Sequence, residues 1–141
     1  MNYIVPLGRF FFSAIFLTAL FNHFSPQTIG FAAQQGVPLP SVLVPLSGVI
    51  AGAGAVSITL GYKARIGAWL LVLFLVPVTI MMHNFWAVAD PMMAQMQLAM
   101  FMKNLSMLGG ALLVAYFGAG PLSLDARRAG SATVAPPPGG A

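Results

Sequence analysis

Residues 66–86 read IGAWLLVLFLVPVTIMMHNFW, with no aspartate, glutamate, lysine or arginine in the run. A helix needs roughly 20 mostly apolar residues to cross about 30 Å of hydrocarbon. This stretch meets that requirement, so lipid rather than water is its expected solvent. Three other stretches meet it too: 4–21 (IVPLGRFFFSAIFLTALF), 42–60 (VLVPLSGVIAGAGAVSITL) and 98–117 (LAMFMKNLSMLGGALLVAYF). The expected fold is all-α, a four-helix transmembrane bundle occupying residues 1–118.

Composition agrees. The chain is 59% hydrophobic and 6% charged, against roughly 25% charged residues in a soluble domain. So few charges cannot coat a globule in water. The net charge of +4 comes from only six basic residues. They are scattered rather than gathered into a stripe that could follow phosphates, so nucleic acid is not an expected partner. With no cysteine, disulfides, thiolate zinc sites and iron–sulfur clusters are excluded. No cofactor is held covalently, and a redox role would need a borrowed one.

The first span has a short apolar core, like a secretory signal. No charge precedes that core, however, and no convincing cleavage site follows it, so it is read as a retained span. Lys63 and Arg65 occupy the second connection, and Arg127 and Arg128 follow the fourth span. The first connection has no charge, and the third has only Asp90. The positive-inside rule then places both termini on the cytoplasmic side. Arg9, near the inner end of the first span, agrees. Arg9, Lys63 and Arg65 are read as topology signals or headgroup contacts.

Ser25-Pro26 and Asp90-Pro91 are cap-and-start signals. The first predicts a short surface helix ended by Gly36, and the second starts the fourth helix well before its apolar part. Pro77 is expected to kink the third span. In the second span, Gly48, Gly52, Ala55 and Thr59 form one stripe of small residues, the kind that lets membrane helices approach closely. Residues 119–141, ending in SATVAPPPGGA, have little to bury and are read as a disordered cytoplasmic tail.

The site reading turns on Lys103 and Asn104. Ala99, Lys103, Ser106 and Gly110 fall within about 60° of arc on a helix. That places Lys103 on the packing face, although a lysine snorkelling to the outer interface fits the same depth. Asn22, His23, His83 and Asn84 lie at the same end of the bundle. Ionisable groups inside spans are costly and therefore functional candidates. The competing reading for each histidine is an interfacial side chain bonded to headgroups. The expected ligand-binding cluster is Asn22, His23, His83, Asn84, Trp86, Lys103 and Asn104, at the outer leaflet.

Several segments, in order, resemble the DoxX family: GRFFFSAIFLTALFNHF, GFAAQQGVPLP, LGYKARIGAWLLVLF, MMHNFW and MFMKNLSMLGGALLVAYFG, over about Leu7 to Asp125. The resemblance implies a small four-helix inner-membrane protein, linked in some relatives to quinone-coupled oxidation or to soluble redox and sulfur-transfer enzymes. It matches Arg9, His83-Asn84 and Lys103-Asn104 to the family's polar positions. The acidic residue that many members carry in the second span is absent here.

Three functions are therefore weighed. In the first, the chain is an accessory membrane subunit of a redox process. Lys103, Asn104 and His83 would donate hydrogen bonds to a quinone or lipid beside Phe85 and Trp86. The second is a non-catalytic scaffold for a soluble redox or sulfur-transfer enzyme. Copper(I) handling is the third, through the thioethers of Met92, Met96 and Met100 together with His83. Catalysis by the chain alone is not expected, because its carboxylates, Asp90 and Asp125, lie outside the spans. Asp125 is read as a solvated charge. Homo-oligomerisation stays open.

Overall fold

The computed structural model describes residues 3–132. Its elements are α1 (Ile4–Asn22), α2 (Pro26–Gln34), α3 (Pro40–Leu60), α4 (Ala64–Met82), a 3-10 turn (Phe85–Ala87), α5 (Pro91–Phe117) and α6 (Leu124–Ala132). No strand occurs among the described residues. Four helices, α1, α3, α4 continued through Ala87, and α5, are long and apolar enough to cross a membrane.

The helix boundaries follow local chemistry. The Ser25 hydroxyl accepts from the Thr28 N–H at 3.2 Å and Pro26 opens α2, so one otherwise unpaired first-turn N–H is satisfied. Asp90 does the same for α5, its Oδ1 accepting from the Met93 N–H at 2.8 Å. Gly36, in the left-handed region, follows the end of α2. Pro77 lies inside α4.

Lipid gives helices no hydrophobic reason to associate, so close packing must hold the bundle. The second span supplies it as expected: Gly48, Gly52 and Ala55 are buried. A Cβ on Gly48 would lie 2.5 Å from the His23 Cβ, and one on Gly52 would lie 2.8 Å from Leu20 Cδ1. Helix α1 therefore rests directly on the α3 backbone. On another side of α3, Gly54 meets Gly67 of α4, where a Cβ would stand 2.7 Å from the Gly67 carbonyl oxygen. Helix α5 packs on α4 and reaches α1 where Phe12 covers Gly110. Phe16, Ala51, Ala55, Ile58, Leu71 and Leu75 fill the space between the helices.

The chain beyond Gly118 departs from the expected disordered tail. Residues 124–132 form α6, and Ala119 and Ser123 are buried. Three tertiary interactions order this segment. Arg9 donates from Nη1 to the Ala119 carbonyl and from Nη2 to the Leu122 carbonyl, both at 2.8 Å. The Asp125 N–H donates to the Gly61 carbonyl at 2.8 Å. The Asp125 carboxylate accepts from the N–H groups of Lys63 (2.8 Å) and Ala64 (3.1 Å), capping α4. Two expectations change as a result. Asp125 is a helix cap rather than a solvated charge, and Arg9, only 6% exposed, holds protein carbonyls instead of lipid headgroups. Composition cannot reveal such pairings, because each joins residues far apart in the chain. The tail at 133–141 lies outside the described residues.

Candidate functional site

A cleft of about 450 Å³ opens between α2, α3 and α4, at the end of the bundle where α1 and α4 finish. Thr28, Ala32 and Val37 come from α2 and its exit. Val44, Ser47 and Ile50 come from α3, and Phe74, Pro77, Val78 and Met81 from α4. His23 and His83 are its only ionisable lining residues.

Local structure holds both imidazoles. The His23 Nδ1 lies 2.7 Å from the Ala19 carbonyl, one turn back, and its ring stands edge-on to Phe74 at 5.6 Å between centroids. A side chain at position 48 would collide with it, so Gly48 makes room for this histidine. His83 follows the last turn of α4, and its Nδ1 lies 2.8 Å from Gln97 Oε1 on α5. A carbonyl oxygen only accepts, so Nδ1 is the donor in both pairs. In a neutral imidazole Nε2 is then an acceptor. Ser47 and Thr28 are already engaged, Ser47 Oγ donating to the Val44 carbonyl at 2.7 Å and Thr28 Oγ1 lying 2.9 Å from Ser25 Oγ. The polar capacity of the cleft rests with the histidines.

The rest of the expected cluster does not line this space. Lys103 and Asn104, adjacent in sequence, separate. Asn104 is buried at 4% exposure, whereas Lys103 is exposed, its Nζ 3.4 Å from Met100 Sδ. The face of α5 that packs contains Phe101, Asn104, Leu108 and Ala111, adjacent to the arc through Ala99, Lys103, Ser106 and Gly110. Each arc pairs a polar residue with a small one two turns on, Asn104 with Ala111 and Lys103 with Gly110, so periodicity alone could not choose. Phe101 decides it by packing edge-on against Phe85 and Trp86. Trp86 is 60% exposed, Asn22 is exposed, and Asn84 is half-buried before the 3-10 turn.

The methionines of the copper reading lie on exposed positions of α5, Met92 at 77%, Met96 at 52% and Met100 at 37%. The Lys103 ammonium beside Met100 is the wrong neighbour for a metal cation, and His83 is directed to Gln97. Among the described residues, no group of three or more histidine, cysteine, aspartate or glutamate side chains could hold a metal ion.

His23 and His83 were legible in the sequence as polar groups at this end of the bundle, but the apolar walls beside them were not. The α2 contribution, above all the buried Ala32, carries no polar signal. Its amphipathic spacing was the only clue.

Comparison with known proteins bears on this architecture. The model of the SURF4 family matches residues 37–129, which include α3, α4, α5 and most of α6. The chain belongs to the SURF4 family. The matched segment carries the α3 and α4 walls of the cleft, His83, and the basic end of the bundle. Inner membrane protein YphA of Escherichia coli (strain K12) is similar, 29% identical over 100 residues that cover 71% of each chain. No solved structure matches. These matches overturn the DoxX resemblance. Its segments consisted of a capping signal, a basic loop and small residues in spans, which many four-span bundles need on packing grounds. They identified an architecture and not a family. The four apolar helices and the named relative make the chain a multi-pass inner-membrane protein.

Proposed function

We propose that the chain binds a membrane amphiphile in the cleft between α2, α3 and α4, with a lipid or the reduced, quinol form of a quinone as the ligand class. The supporting observation is an apolar cleft of about 450 Å³, room for part of an amphiphile, with His23 and His83 in its wall. Such a site suits a ligand with an oily body and one polar head. With Nδ1 of each ring engaged, both imidazoles, when neutral, offer Nε2 acceptors. They complement a hydroxyl, as in a quinol or the alcohol of a lipid headgroup. A quinone carbonyl would require a donor, and Lys103, the strongest donor expected from sequence, does not line the cleft. With a quinol as occupant, the chain would act as the membrane subunit of a redox process.

Photo-crosslinking tests this reading. A reduced azido-quinol and a diazirine-lipid probe should label peptides containing Val44–Ser47 or Met81–His83. Labelling should fall when His83 becomes leucine and persist in Lys103→Ala. Labelling confined to the exposed face of α5 would remove the proposal.

A second reading, a scaffold for a soluble enzyme, draws on α6, an ordered helix presenting exposed Arg127 at the basic end. A stoichiometric partner that is lost with α6 and retained in His83→Leu would favour it over the cleft.

A further inference from the structure

A second groove, of about 480 Å³, lies at the opposite end of the bundle between the start of α4 and the end of α5. We propose that it binds the headgroup of an anionic phospholipid. Lys63 and Arg65 would engage the phosphate, and an acyl chain would lie along Ile66 and Phe117.

The two cations are exposed, and neither side chain makes a hydrogen bond to another described residue. The Asp125 carboxylate, which accepts from the backbone N–H groups that start α4, also lines the groove, so Lys63 and Arg65 set two positive charges against one negative charge there. The Arg65 guanidinium lies against the end of α5, its Nε 3.4 Å from the position a Cβ on Gly118 would take, an ordinary contact distance. A charged head is thus prepared at the level where two spans meet the interface.

The walls select the source of the phosphate. Ile66 is 58% exposed and Phe117 is 71% exposed, both on apolar spans and both lining the groove. A soluble phosphate gains nothing from these side chains, whereas an acyl chain descending from a bound headgroup covers them. The positive-inside rule puts this end on the cytoplasmic side, where anionic lipids attract basic groups next to the membrane.

Trp69 is a natural reporter, one helical turn from Arg65 on α4 and exposed. The chain has two tryptophans, so Trp86→Phe leaves Trp69 alone. The measurement is quenching of Trp69 in vesicles containing brominated phosphatidylglycerol or brominated phosphatidylcholine at equal mole fraction. Preferential quenching by the anionic lipid is expected, with a preference of about fivefold for each cation engaged. It should disappear in Lys63→Asn/Arg65→Gln and persist in Arg127→Gln/Arg128→Gln. Arg65→Gln alone, at an exposed position, serves should the double variant fail to fold.

Equal quenching by the two lipids would overturn the proposal, as would a preference that survives Lys63→Asn/Arg65→Gln. Equal loss in the Arg127/Arg128 variant would assign the effect to diffuse surface charge and overturn it. So would loss of the preference on adding inorganic phosphate at constant ionic strength, because the groove would then belong to a free anion.

Discussion

The Asp125 carboxylate caps a helix that begins 61 residues earlier in the chain, its Oδ2 accepting from the Ala64 N–H at 3.1 Å. The same carboxylate takes the Lys63 N–H at 2.8 Å. This cap joins α6 to the start of α4. Asp125→Ala should lower the unfolding free energy by about 1–2 kcal/mol, the usual cost of losing an N-cap. Asp125→Asn should recover part of that, because an amide oxygen still accepts. Thermal unfolding in detergent reads both, and an unchanged midpoint in Asp125→Ala would show that α6 is not held this way.

Arg9 secures the same region from α1. Replacing it with alanine removes two charge-assisted hydrogen bonds to the Ala119 and Leu122 carbonyls, a loss of about 2–3 kcal/mol. The 118–123 turn should then open. Ser123 is 2% exposed and the chain has no cysteine, so a Ser123→Cys reporter gives a clean reading. Maleimide should modify it slowly in the parent and at least tenfold faster in the Arg9→Ala background.

Glycines in the spans divide by what surrounds them. Gly54→Ala would place a methyl 2.7 Å from the Gly67 carbonyl oxygen, a backbone atom with nowhere to go. It should destabilise by about 1–3 kcal/mol, as overpacking does. Gly109 has nothing within 4 Å of the same position. Gly109→Ala should be neutral or stabilising by up to about 1 kcal/mol, through helix propensity. Equal losses at the two sites would contradict the α3–α4 contact described above.

Tyr62, in the short loop between α3 and α4, has a phenol pKa lowered from 10.0, first by its hydrogen bond to Arg128 and then by the charges of Lys63 and Arg128. The guanidinium also lies over the ring, 4.5 Å from its centroid. Because the folded-state value is depressed, the linked stability is present above the unfolded value and is lost as pH falls through the folded one. At neutral pH it contributes nothing. The ultraviolet difference titration of parent minus Tyr62→Phe should show a transition below 10. That transition should move upward in Arg128→Gln, and an unmoved one would mean that Arg128 does not act on the phenol.

What the sequence determined on its own was the solvent and the layout. Unbroken apolar runs such as 66–86 admit only membrane spans, because each unpaired backbone group in hydrocarbon is too costly for anything but a helix or a closed barrel. Caps at Ser25 and Asp90, and the small stripe at Gly48, Gly52 and Ala55, were equally legible, since each acts over a few residues of one helix. The tertiary structure decided which of two adjacent arcs of α5 faces inward, and so separated Lys103 from Asn104. It also turned Asp125 and Arg9 into structural ties and brought His23 and His83 to one cleft. Helical periodicity fixes the angle between two side chains but not the rotation of the helix as a whole. That rotation is set by partners such as Phe85 and Gly110's neighbour Phe12, which no local pattern names.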